Sequence, residues 1–93
     1  MNYKVLRHQP QDTVGIVIEE VTEGQNVSVK DITGKPAQSI EVKETIPIFH
    51  KIALQSMKKH ESVIEYGQVI GEAMQDIACG AYVHIHNIKT RKW

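Results

Sequence analysis

Hydrophobic residues in this chain alternate with polar ones over short stretches. Along Ser39-Ile40-Glu41-Val42-Lys43 the apolar residues fall on one face and the polar ones on the other, the period-two signature of a half-buried strand. The same reading gives strands at Lys4–His8, Thr13–Ile18, Asn26–Val29, Phe49–Leu54, Ser62–Gly67 and Val69–Ala73. Asp31–Pro36 is a turn by its Gly and Pro content. No long segment carries a 3.6-residue period, so the fold class is mostly β. The last strand runs from Tyr82 to Asn87, with Val83 and Ile85 on one face and Tyr82, His84 and His86 on the other. Residues two apart on a strand sit about 6.6 Å apart and project the same way. That places two imidazoles side by side, with the Asn87 amide next to them.

A weak repeat organises these strands. Val17–Val27 aligns with Ala53–Val63 and with Ala73–Val83. Each copy is a strand, one apolar residue (Val21, Met57, Ile77), a turn at Gly24, His60 or Gly80, and a valine opening the next strand. Glycine at two of the three turn positions points to positive φ there, and histidine tolerates that region better than most residues. The unit predicts a strand, a single helical turn and a return strand. The uneven spacing between copies rules out a solenoid.

Composition narrows the class. Ninety-three residues, 41% apolar and 24% charged, make one globular domain over 1–93. Eleven basic residues balance eleven acidic ones, which gives no footprint for nucleic acid or an anionic membrane. The basic run Lys89-Thr90-Arg91-Lys92 reads as a solubilising terminus. One cysteine, Cys79, excludes an internal disulfide. With no apolar run of signal-peptide or membrane-spanning length, the expected location is the cytoplasm.

Three ordered motifs carry a resemblance. Ile46-Pro47-Ile48-Phe49-His50-Lys51-Ile52-Ala53-Leu54 resembles an I-P-x-G-H-K segment followed by an apolar residue and A-L. Ile64-Glu65-Tyr66-Gly67-Gln68-Val69-Ile70-Gly71 resembles I-x-Y-G-x-x-I-G. The stretch from Asp76-Ile77 through Gly80 and Val83 to His84, His86 and Asn87 resembles D-I-x-x-G-x-x-V-H-x-H-N. With Asp12-Thr13-Val14-Gly15, these cover nearly the whole chain. They are the motifs of the SAF-type domain of altronate and galactarate dehydratases, found also as the small subunit of related lyases such as sulfolactate sulfo-lyase. Phe49 and His60 stand where that family usually has glycine.

The resemblance implies a compact β-clip fold and a role as the separately encoded small subunit of a sugar-acid lyase. A large partner subunit would carry most of the chemistry, and self-association of the isolated chain is open. The implied reaction is β-elimination. A base removes the proton beside a carboxylate, an acid assists the leaving group, and an electrophile, often a divalent metal such as Fe2+ or Mn2+, polarises the carboxylate.

Histidine suits both proton transfer and metal ligation. His84 and His86 are therefore candidate metal ligands, in a site completed by the partner. His50 and Lys51 are candidate catalytic residues, although on one strand they would point to opposite faces. His50 would share its face with Ile48, Ile52 and Leu54, so a core histidine is the competing reading; Lys51 suits a substrate carboxylate as a compact positive charge. Asn87 and Tyr66 are candidate substrate contacts, the Tyr66-Gly67 passage being otherwise architectural. His8 reads as surface, His60 and Cys79 as turn residues, and Trp93 as an aromatic that packs on a partner. The other readings are carbon–sulfur cleavage of sulfolactate, a non-catalytic sugar-acid binding module, and a purely structural subunit.

Overall fold

The computed structural model describes residues 3–84 and 86–90. Among the described residues nine strands carry the fold: β1 (Tyr3–Arg7), β2 (Val14–Val17), β3 (Asn26–Asp31), β4 (Pro36–Glu41), β5 (Lys51–Ala53), β6 (Ser62–Glu65), β7 (Gln68–Ala73), β8 (Tyr82–Val83) and β9 (Ile88–Thr90). Six form one sheet in the order β4-β3-β1-β2-β5-β8, and β6-β7-β9 form a second. All neighbours are antiparallel except β1 and β3. The mostly β expectation holds. The single-turn helices do not: among the described residues the connecting segments are hydrogen-bonded turns, and no helix is present.

Those turns form a more regular device than the sequence repeat suggested. Val21 and Ile46 exchange both backbone hydrogen bonds, at 3.1 and 2.9 Å, and Met57 and Ile77 do the same at 2.8 Å each. Three residues after each comes a residue with positive φ: Gly24 (91°), Phe49 (70°), His60 (79°) and Gly80 (90°). The amide of each then donates to a carbonyl of the paired unit, on Val42, Val17, Ala73 and Ala53 respectively. The unit is therefore used four times, as two mutually clasped pairs. The fourth copy, Ile46–Phe49, falls outside the sequence alignment; it carries Phe49 at the left-handed position and Ile52 where the aligned copies have valine. At Gly80 the backbone also passes so close to β4 that a Cβ would lie 1.9 Å from the Glu41 carbonyl oxygen. Only glycine fits there.

Alternation along β2 and β5 divides the interior into two cores. Val14 and Ala53, paired across the strands, face a core with Met57, Val63, Ala73, Ile77 and Val83. Val17 and Ile52 face the other way, with Val5, Val21, Val29, Ile40 and Ile46. Full burial of such side chains contributes about 1.5–3 kcal/mol each.

Asp12 and Thr13 tie the two sheets together. The Asp12 carboxylate accepts hydrogen bonds from the amides of Gly67 (2.8 Å), Tyr66 (3.0 Å) and Gln9 (3.2 Å). The Thr13 amide donates to the Ile64 carbonyl at 2.9 Å, and its hydroxyl accepts the Ile64 amide, also at 2.9 Å. The opening motif is thus a clamp on the β6–β7 hairpin. That hairpin closes through Tyr66 (φ 57°) and Gly67 (φ 73°), the double left-handed pair of a two-residue turn. Gly71, in the same motif, lets β9 approach: a Cβ there would lie 2.3 Å from the Lys89 carbonyl oxygen.

The histidine strand is shorter than its alternation implies. β8 ends at Val83, and His84–Asn87 turns the chain into β9. The cause is Asn87, whose Oδ1 accepts the His84 amide at 2.9 Å while its Nδ2 donates to the Tyr82 carbonyl at 2.7 Å. Such side-chain bonds offer the backbone an alternative to the ladder. The face expected for Ile85, the tail residues Arg91 and Lys92, and the packing of Trp93 lie outside the described residues.

Candidate functional site

An open cleft of about 450 Å³ lies where the β5–β8 end of the large sheet meets the three-stranded sheet. Phe49, His50, Lys51, Val83 and His84 line one side, and Glu65, Ile70, Ile88 and Thr90 the other. His50 is not on a strand: it follows the Phe49 turn, and β5 begins at Lys51. The strand rule that set the two on opposite faces therefore does not apply. Both reach the same cleft.

Each of these neighbours is held by another element. His50 Nδ1 is hydrogen-bonded to the hydroxyl of Tyr82, whose ring meets the imidazole edge-on. The His84 ring stacks on His50 with centroids 5.4 Å apart and planes 29° apart. His86 sits outside the cleft wall, 6.2 Å from His84 and 5.7 Å from Tyr82 between ring centroids. The expected histidine pair is thus brought together on a turn, as part of a four-ring cluster built on Tyr82. Among the described residues, no group of three or more His, Cys, Asp or Glu side chains is arranged to hold a metal ion.

Lys51 faces Glu65, with Nζ 3.8 Å from Oε1. Glu65 is 7% exposed. Burial pushes its carboxyl above the ordinary glutamate range. Electrostatic attraction from Lys51, and then from His8, opposes that shift, and Asp12 adds to it. Neither Glu65 nor Tyr82 was assigned a role from the sequence. A signal for Glu65 exists: it shares the period-two face of Val63, which points it inward.

The remaining candidates fall elsewhere. Asn87 is 3% exposed and its amide is spent inside the turn, so it positions the histidines. Tyr66 is 57% exposed and packs on His8 with ring centroids 4.0 Å apart, off the cleft wall. His60 occupies its turn and contacts Glu72 at 3.1 Å. The Cys79 thiol donates to the Leu54 carbonyl at 3.4 Å, and burial pushes its pKa up, which fits an inert turn residue.

Comparison with known proteins now decides the family. Residues 3–91 match the altronate/galactarate dehydratase SAF domain. The chain belongs to that family. It is 37% identical over 94 residues to the (2R)-sulfolactate sulfo-lyase subunit alpha of Chromohalobacter salexigens, covering all of both chains. It is 41% identical over 80 residues to the altronate dehydratase of Bacillus subtilis, and 37% over 79 residues to that of Escherichia coli. Those matches take in 86% and 85% of this chain but only 15% of each dehydratase. Within the SAF domain, the two positions that depart from the family's glycine, Phe49 and His60, both keep the left-handed backbone that glycine would supply.

Proposed function

We propose that this chain is the small subunit of a β-eliminating lyase that removes water from a hydroxylated sugar acid of the altronate or galactarate type, working with a larger partner subunit. The observation that carries this reading is the convergence of His50, Lys51 and His84 on one cleft in a member of this family. Lys51, steadied by Glu65, presents a positive charge suited to the substrate carboxylate. His50, oriented by Tyr82, presents its ring to the same space. Ile70, Val83 and Ile88 supply an apolar wall that limits water around the reacting carbons.

His84 and His86 have the donor chemistry to hold a divalent ion such as Fe2+ or Mn2+, with the partner subunit supplying the other ligands. When bound, such an ion would draw electron density from the carboxylate and acidify the neighbouring carbon.

The test is reconstitution. The chain alone is expected to be inactive, and adding the large subunit should give elimination of water from altronate or galactarate. His84→Ala and His86→Ala should each lower the reconstituted rate about 100-fold or more. Unchanged rates in both variants would remove the histidine pair from the site.

A second reading, carbon–sulfur cleavage of sulfolactate, is favoured by the match that spans the full length of the sulfo-lyase alpha subunit. Release of sulfite rather than water by the reconstituted enzyme would select it.

A further inference from the structure

We propose that Glu65 is the base of this cleft, taking the proton from the carbon next to a substrate carboxylate that Lys51 holds. The assignment rests on the lyase reading and is the same for loss of water or of sulfite. Glu65 closes β6 at 7% exposure, and its side chain lines the cleft. Among the described residues its carboxylate accepts no hydrogen bond, and its ion-pair partner is Lys51, with Nζ 3.8 Å from Oε1. Buried carboxylates are ordinarily satisfied by donors. Asp12, buried in the same molecule, accepts three amides and is a structural clamp. Glu65 is buried without such donors and opens onto a cleft instead.

A carboxylate deprived of hydrogen bonds and water binds a proton more readily than a satisfied one. Ile70, Val83 and Ile88 in the lining limit the water that could take the donors' place. The charged groups around Glu65 are Lys51 on β5, His8 beyond the end of β1 and Asp12 in the loop before β2. His50 and His84 line the same cleft, but among the described residues neither is hydrogen-bonded or ion-paired to Glu65. Lys51 fixes where the chemistry falls. A carboxylate drawn to its ammonium places the adjoining carbon one bond further on, in the space that Glu65 shares with Nζ. Glu65 takes the proton of that carbon, and the C–H electron pair becomes a carbon–carbon double bond. The bond from the next carbon to the hydroxyl oxygen breaks, and its electron pair leaves with the oxygen. Glu65 returns its proton to solvent and the departing hydroxide takes one up, so the net products are an unsaturated acid and one water. The Lys51 ammonium offsets the negative charge that spreads onto the carboxylate as the proton leaves.

Glu65→Gln keeps the size of the side chain and removes the base. In the reconstituted lyase it is expected to lower kcat about 100-fold or more while KM stays within about threefold. Glu65→Asp keeps a carboxylate on a shorter stem. It should retain more of the rate and show a larger isotope effect on substrate deuterated beside the carboxylate, because proton removal becomes the slow step. A glutamate that only held Lys51 would give a raised KM and an unchanged isotope effect. That result overturns the proposal, as does a Glu65→Gln variant that folds by circular dichroism and turns over at the wild-type rate. The wild-type pH profile decides even where neither variant folds. Its kcat/KM should fall on the acid side through one ionisation above the ordinary glutamate value of 4.5. A rate that is flat between about pH 4 and pH 8 overturns the assignment. Wild-type inactivity on altronate, galactarate and sulfolactate would instead overturn the lyase reading, and the base with it.

Discussion

Glu65 is the residue whose environment departs furthest from its chemistry. Its carboxylate is buried beside a partly exposed lysine, and burial outweighs the attraction of Lys51, so the folded protein holds its proton more tightly than the unfolded chain does. Linkage fixes the sign: a raised folded pKa contributes stability at low pH that is lost as pH rises through the folded value. Glu65→Gln removes that loss. The variant is expected to gain on wild type as pH rises above the ordinary glutamate value of 4.5, with the difference smallest below it. Urea midpoints for both proteins at about pH 4 and pH 7 check this, and a pH-independent difference would show that Lys51 fully compensates the burial.

At the scale of the element, the clasped turn decides what each position tolerates. Its left-handed site is general, since all four copies have positive φ, but the space around it is not. His60 is exposed and has no steric need for glycine, so His60→Gly should raise stability by about 0.5–1 kcal/mol, the relieved backbone strain less the added chain entropy. Gly80 faces the Glu41 carbonyl as well, and Gly80→Ala should cost about 3 kcal/mol or more, because a methyl group there must displace backbone. Denaturant unfolding of the two variants would show opposite signs. Equal and small effects would mean that the clasp is looser than its hydrogen bonds indicate. Phe49 combines the same backbone with a 71% exposed aromatic ring at the mouth of the cleft.

At the scale of the whole molecule, the cleft exists only because two sheets are held in register. Asp12, 4% exposed and outside the cleft lining, makes that connection by accepting three amides. Hydrogen bonds to a charged acceptor are worth about 1.5–3 kcal/mol each, and their loss is partly recovered by relaxation. Asp12→Ala should therefore destabilise the fold by about 3 kcal/mol and should also lower reconstituted activity, because the hairpin that carries Glu65 would drift from Lys51. A variant that loses stability but retains full activity would separate the clamp from the site.

The sequence alone determined the β class, the position of most strands, three of the four turn units and the family, because alternation, positive-φ glycines and ordered motifs are local properties. It placed His50, Lys51, His84 and His86 correctly as neighbours along the chain but assigned the wrong support to the pairs, reading strands where Asn87 and Phe49 impose turns. Which residues meet was decided by tertiary structure. Glu65 reaches Lys51, and Tyr82 reaches His50, through contacts between segments far apart in sequence. No period or motif encodes such a distance. Asn87, Asp12 and Phe49 likewise show their work only in three dimensions, since a side chain's use, as clamp, cap or wall, depends on which backbone groups the fold delivers to it.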